Sequence, residues 1–298
     1  MEEIGDFHSI TPGARSYFLK NGFVCIRGFL SPEIVERLQA SYFEAYSFRK
    51  SYKNTAVQRY QPLTRFAPFS KLSDFIDVNG IAALATQLLE QKAFVVSDLL
   101  GAWTSNSRTT YVLPWHRDIR DNSYGFDYTI WEKKLSVREY FTQFNLPVFD
   151  DASFWIVPES DSRVDTQLEA ELFSKKPVRV PGQERFLNPW LPKNRIYTNF
   201  YRAFEHLKNR IDPNNSLNVN CNRARLDACR RYAEMMPDAV KLKLRAGDLL
   251  FYRGSGWHTS IYQANIDRFT FFSNIRTEVS DDWFREEFLP SREKETVM

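Results

Sequence analysis

The sequence predicts a mainly β fold, a β-sandwich or jelly roll with helices on its flanks. Three observations lead there. Short runs rich in β-branched and aromatic residues recur along the chain, bounded by turn residues. Helical patterns gather before residue 92 and again within residues 160–240. Strand patterns then resume after residue 240, so the polar middle reads as a long insertion in one domain spanning residues 1–298, not as a second domain.

The elements follow in order. Residues 11–20 read as a short helix stopped by Asn21-Gly22, and "FVCIRGF" as a strand. Ser31-Pro32-Glu33 opens a second helix: Ser31 can cap, Pro32 suits the first turn, and Glu33 and Glu36 favour the N-terminal dipole. Ile34, Leu38 and Tyr42 then share one face. Residues 83–91 read as a helix; 93–103, 109–119, 138–149 and 152–160 read as strands. Residues 160–240 are rich in Asn, Arg and Pro, with a helix over 221–236 whose arginines suit a solvated face. Residues 240–260 give strand, turn at Gly247-Asp248, strand, and a glycine-interrupted loop into His258; residues 267–279 give a final strand.

Composition removes several function classes. Hydrophobic residues at 43% and charged residues at 26% describe an ordinary soluble protein with enough chain for a substantial core. The net charge of +3 is too small to argue for nucleic acid without a clustered basic patch. Three cysteines with no CxxC pair give neither a disulfide framework nor a thiolate zinc cluster, and suit a reducing compartment. With no apolar leader and no run of 18 apolar residues, the sequence predicts a cytoplasmic protein that does not engage a membrane. Aromatics reach 15%, which favours core filling over ligand walls. Trp103, Tyr111 and Trp131 can line a pocket or simply pack.

The chemistry begins in "LPWHRDIRDN", residues 113–122. Side chains at i and i+2 of a strand share a face, so His116 and Asp118 can reach one ion while Arg117 points away. Two ligands cannot hold a catalytic metal, and of the four histidines only His116 and His258 lie on strand-like segments beside tryptophan. His8 lies near the terminus, and His206 lies in the polar insertion. His116, Asp118 and His258 would make a two-His-one-carboxylate set with open positions, which suits non-haem Fe(II) handling O2. The HxD pair alone reads equally as a polar strand surface. Arg268 follows ten residues after His258 in an aromatic strand, with Thr270 on its face. A strand arginine facing a cavity wants a carboxylate, and a structural salt bridge satisfies it as well as a ligand does.

In order, His116-Arg117-Asp118, His258 and Arg268 resemble the phytanoyl-CoA dioxygenase-like family of Fe(II)/2-oxoglutarate oxygenases. "LKNGFVCIRGFLSPEIVERLQ", "NLPVFDDASFWIVPESDSR" and "GDLLFYRGSGWHTS" resemble further segments of that family, so the likeness covers most of residues 15–160 and 240–278. Where the family often shows Pro-Gly-Ser-His, this chain has Pro158-Glu159-Ser160-Asp161. Residues 160–240 have no counterpart and would shape substrate choice.

The resemblance implies a double-stranded β-helix, a cupin-like jelly roll, around Fe(II) held by His116, Asp118 and His258. 2-Oxoglutarate and O2 would be cosubstrates. Arg268, with Thr270, would hold the distal carboxylate of 2-oxoglutarate. Gln143, sharing a face with Asn145, is a further candidate for binding cosubstrate or substrate; a one-residue slip would put Thr142 and Phe144 inside instead. The substrate would be a small molecule, a free metabolite before a coenzyme A ester, although Arg223, Arg225, Arg230 and Arg231 could meet such an ester's phosphates. Relatives that chlorinate lack the carboxylate, so Asp118 implies oxygenation, by default hydroxylation; desaturation, ring closure and epimerisation use the same chemistry. Two other classes stay open: a non-catalytic jelly-roll protein that binds metal or ligand, and a zinc hydrolase on the same three residues, which leaves Arg268 without a role.

Overall fold

A computed structural model describes residues 9–48, 58–105, 110–118, 142–171, 216–264 and 266–283. Its strands are β1 (Phe23–Ile26), β2 (Gln58–Tyr60), β3 (Ala93–Val95), β4 (Gly101–Ser105), β5 (Tyr111–Val112), β6 (Thr142–Pro147), β7 (Phe154–Ile156), β8 (Val240–Lys241), β9 (Leu249–Arg253), β10 (His258–Tyr262) and β11 (Arg268–Thr277). Among the described residues these form a seven-stranded sheet, ordered β1-β9-β6-β11-β4-β2 with β3 on the end of β11, and a four-stranded sheet, ordered β5-β10-β7-β8. Every strand pairing in both is antiparallel.

Strand parity sorts the large sheet into two faces. Ala102, Phe144, Leu146, Leu249, Phe251, Phe269 and Phe271 are buried together against helices α1 (Pro12–Asn21), α2 (Pro32–Phe48) and α3 (Val78–Leu89). Each of the leucines and phenylalanines contributes about 1.5–3 kcal/mol on burial. The alternate residues form rows across the opposite face: Tyr252–Gln143–Asn274, Leu250–Asn145–Phe272–Gly101, and Pro147–Thr270–Trp103–Arg59. That face meets the small sheet, where Phe23, Cys25, Leu250 and Tyr252 pack with Phe154, Ile156, Leu242 and Leu244. The small sheet's outer face is covered in turn by helix α4 (Ser216–Glu234): Cys229, Tyr232, Ala233 and Met236 pack on Val112, Trp155 and Ile261. Arg223, Arg230 and Arg231 are exposed.

The helix boundaries obey their local signals. Thr11 accepts from the Ala14 N–H, and Gly22 closes α1 at φ 79° with its N–H on the Phe18 carbonyl. Asp77 caps α3 at Gly80. Asp248, 1% exposed, ties the turn after Gly247 to the end of β1 by accepting from the Gly28 and Arg245 N–H groups.

Two strand expectations need correction. Residues 93–103 are not one strand: Val95 faces Ile275 while Gly101 faces Phe272, so six residues advance against three. The surplus forms the 3-10 turn Ser97–Leu99. Of the 109–119 run, the described residues 110–118 pair as a regular strand only at Tyr111–Val112. Pro114 cannot donate to a ladder, and contact with β10 resumes at a single bridge, His116 to His258. His8, His206, Trp131 and residues 172–215 of the insertion lie outside the described residues. No described helix is long and apolar enough to cross a membrane.

Candidate metal centre

His116, Asp118 and His258 converge. One ligand atom from each lies within 4.8 Å of the others. The His116 and His258 Nε2 atoms are each 3.6 Å from a different oxygen of Asp118, and the two rings are 4.3 Å apart at their centroids. His258 opens β10, and His116 sits opposite it, joined by reciprocal backbone hydrogen bonds of 3.1 and 3.0 Å. Asp118 is placed separately, by its N–H on the Gly254 carbonyl at 2.8 Å. The shared face expected of His116 and Asp118 is thus achieved by two local attachments and not by a continuous strand.

The hydrogen bonds behind the imidazoles decide what the cluster can hold. Nδ1 of His116 lies 2.8 Å from the Pro114 carbonyl, and Nδ1 of His258 lies 2.9 Å from the Gly256 carbonyl. A carbonyl only accepts, so both Nδ1 atoms carry a proton, and in the neutral tautomer each ring presents a bare Nε2 lone pair to the centre. Two lone pairs and a carboxylate therefore face one another. That arrangement repels itself unless a cation or protons neutralise it. A divalent metal that accepts nitrogen and oxygen fits this donor set.

Asp118 is oriented from behind by a chain of hydrogen bonds. Tyr252 Oη donates to Gln143 Oε1 at 2.8 Å, and Gln143 Nε2 donates to Asp118 Oδ2 at 2.7 Å. Burial, reinforced by the charge of Asp118, holds the Tyr252 phenol well above its ordinary pKa, so it stays a donor. A Cβ on Gly254 would lie 2.7 Å from Gln143 Nε2 and 3.0 Å from Asp118 Oδ2, so only glycine leaves room for this contact. The structure places Gln143 on the inner face with Asn145, against the Asp118 carboxylate; Thr142 and Phe144 turn the other way.

Arg117 does point away from the cluster, but it is 1% exposed and held through its Nε and Nη1. Its Nη1 donates to the carbonyls of Ser160 and Ser255, its Nε to Asp165 Oδ1 at 3.0 Å, and its guanidinium lies over Trp257 at 5.2 Å. It fastens the segment bearing His116 and Asp118 to the loop before His258.

Arg268 opens β11 and is buried. Its Nε donates to Asp151 Oδ2 at 2.7 Å, and the guanidinium lies 4.9 Å from the Tyr262 ring, which stacks on Tyr111. Thr270 Oγ1 reaches the same Asp151 oxygen at 3.3 Å. Burial alone would raise the pKa of Asp151, but the charge of Arg268 and hydrogen bonds from Ser153 outweigh it and hold the carboxyl below its ordinary value. Burial likewise opposes the charge of Arg268, and Asp151 overrides it in the other direction. The salt bridge is real, yet it leaves Arg268 Nη1 buried with no hydrogen-bond partner. A buried, unsatisfied guanidinium nitrogen is costly and fits an incoming carboxylate.

Sequence reasoning passed over Asp151, Tyr252 and Gly254. Asp151 lay within the quoted "FDDASFW" segment without a role, and Tyr252 and Gly254 lay in "GDLLFYRGSGWHTS". For Tyr252 the parity with Leu250 on β9 was the available signal, since it puts both on the inner face.

No protein-family model matches the chain, and no curated protein matches its sequence. Solved structures do resemble it. AviO1 from Streptomyces viridochromogenes superposes with a TM-score of 0.50 at 12% identity, over 88% of this chain and 93% of that one. HygX from Streptomyces hygroscopicus, solved with nickel and 2-oxoglutarate bound, gives 0.49 at 14% identity over 91% and 88%. The non-haem α-ketoglutarate-dependent epimerase SnoN of nogalamycin biosynthesis gives 0.49 at 13% identity over 89% and 80%. The likeness to AviO1 is one of fold.

Proposed function

We propose that this chain is an iron- and 2-oxoglutarate-dependent oxygenase of the phytanoyl-CoA dioxygenase-like kind, acting on a small molecule. The observation that carries it is the cluster of mutually facing acceptors, His116 Nε2, His258 Nε2 and the Asp118 carboxylate, with both Nδ1 protons turned outward. The two antiparallel sheets would be the walls of a double-stranded β-helix in a single domain, with the 160–240 insertion beside it. We place the protein in the cytoplasm, free of membrane and nucleic acid.

The residues have distinct tasks. His116, Asp118 and His258 would hold Fe(II) on one side and leave its other positions open. Gln143 and Tyr252 would keep the Asp118 carboxylate turned toward the metal. Arg268 Nη1 would take the distal carboxylate of 2-oxoglutarate, with Asp151 fixing the guanidinium from behind and Thr270 beside it. Tyr111 and Tyr262 would exclude water from that charge pair. Iron with 2-oxoglutarate and O2 supplies an oxidant able to take hydrogen from an unactivated C–H bond, releasing succinate and CO2. Because Asp118 occupies its place, hydroxylation is the favoured outcome over chlorination; desaturation, cyclisation and epimerisation are variants of the same reaction.

The test is anaerobic addition of Fe(II) and 2-oxoglutarate. A weak visible charge-transfer band should form, disappear in His258→Ala, and require more 2-oxoglutarate in Arg268→Ala. A protein that binds zinc tightly and shows no band would instead be the hydrolase; one that shows the band but never makes succinate with any substrate would be a binding protein.

A further inference from the structure

Arg59 is a second arginine on the inner face of the large sheet, and no carboxylate among the described residues pairs with it. It stands opposite Trp103 on β2, in the same row as Thr270 and two strands away from it. At about 4.8 Å per strand, its Cα lies roughly 10 Å from that of Thr270. The side chain does not run toward Arg268. Its guanidinium lies 5.2 Å from the Trp103 ring and 5.0 Å from the Phe272 ring, so it leans across the row that holds Asn145 and toward the Gln143 end. There it feels the charges of Asp118 and Tyr252, although partial burial dominates and lowers its pKa from the ordinary arginine value.

Two features separate Arg59 from a structural arginine. Arg27, Arg117, Arg163, Arg268 and Arg276 all hold a carboxylate partner at 3.0 Å or less. Arg59 has only the two rings among the described residues, with no hydrogen bond and no ion pair. A ring face holds a guanidinium flat and leaves the N–H edge free, and that edge is the part which forks onto a carboxylate or phosphate. The residue as a whole is exposed, so the edge is reachable. The two inner-face arginines thus approach the metal cluster from different rows, one already anchored to a carboxylate and the other not.

We propose that Arg59 is a specificity-determining residue that grips a carboxylate or phosphate group brought in across Trp103 and Phe272 from the metal ligands. The inference rests on the oxygenase reading for its placement but not for its chemistry. Two sources could present that anion: the end of 2-oxoglutarate remote from Arg268, or the substrate itself.

Arg59→Gln and Arg59→Lys, each first checked for an unchanged melting temperature, separate the sources. If the anion belongs to 2-oxoglutarate, the concentration that half-forms the charge-transfer band should rise at least tenfold in Arg59→Gln and recover in part in Arg59→Lys. If it belongs to the substrate, that concentration stays within twofold. The Ni(II)- and 2-oxoglutarate-loaded wild type should then bind benzoate over benzamide, or phenyl phosphate over phenol, by calorimetry, and Arg59→Gln should lose the preference. An unaltered 2-oxoglutarate requirement together with no preference for either anionic probe in the wild type overturns the proposal. If wild type forms no band, the oxygenase reading fails alone; the same probe pairs on the protein without 2-oxoglutarate then decide the role of Arg59.

Discussion

The two faces of the large sheet are built from the same strands and do opposite work. On β11, Phe269, Phe271 and Ile275 enter the core beneath the helices, while Arg268, Thr270 and Phe272 turn toward the candidate site. On β6, Phe144 and Leu146 are fully buried in the core, and Gln143 and Asn145 face inward. The outer face is held by apolar area, which is tolerant of exact chemistry. The inner face adds to its own apolar cluster, around Leu250 and Phe154, hydrogen bonds and charge pairs that depend on exact partners. Apolar packing beneath the helices and the candidate site therefore occupy opposite faces of the same sheet.

The contrast can be broken from its apolar side first. Phe271→Ala empties a fully buried position and should cost about 3–5 kcal/mol of unfolding free energy, read by chemical denaturation. The protein that remains folded should still bind Ni(II) with wild-type affinity; a parallel loss of metal would mean the faces are not independent. Asp151→Asn comes next. It keeps an oxygen near Arg268 but leaves a buried charge without its counterion, at a cost of about 3 kcal/mol. The pH dependence has a definite sign. The Asp151 carboxyl is depressed in the folded state, so its contribution is complete above the ordinary carboxylate pKa of about 3.9 and is lost as pH falls through the lower folded value. The stability gap between wild type and Asp151→Asn should be flat above pH 5 and narrow under acid; a gap that widens in acid would contradict the pairing.

Gln143→Leu is a smaller change with a more local reading. Removing the amide that orients Asp118 should weaken Ni(II) binding about 10–100-fold in calorimetry, with a loss of about 1–2 kcal/mol of stability from the orphaned Tyr252 hydroxyl. Unchanged metal affinity would place the Tyr252–Gln143 chain outside the metal's environment. Thr270→Val is the smallest. Its 3.3 Å contact with Asp151 is long, so roughly 0.5–1 kcal/mol of stability is expected to be lost, with the 2-oxoglutarate requirement rising only slightly.

Much of this arrangement was legible in the chain. Helix starts and stops depend on one or two residues, and the Asn21-Gly22 stop acts within four positions of itself; the Asp77 cap went unread, so the helix read over 83–91 begins earlier, at Val78. Local signals of that kind survive tertiary context. The three ligand candidates were legible for another reason: histidine is rare here, and only two of the four sit in aromatic strand-like surroundings. What stayed hidden depends on register. No local feature says that three surplus residues must leave the sheet between β3 and β4, or that Pro114 interrupts the strand before His116. Asp151 was equally silent, because its importance comes from an arginine 117 positions away. Gly254 is required by a neighbour's side chain and not by its own backbone, so its spacing carried no signal.

Arg117 has a consequence for how this protein can change. Its guanidinium joins three stretches of chain: the segment with His116 and Asp118, the loop preceding His258, and residues 160–165 at the start of the insertion. The insertion therefore has a fixed hinge post. An exchange that begins after Asp165 and ends before helix α4 leaves the Arg117 contacts intact, while one that begins five residues earlier would unfasten His116 and Asp118 from the loop before His258. A chimaera designed to alter substrate choice should take its splice point after Asp165, and Arg117 is the reason why.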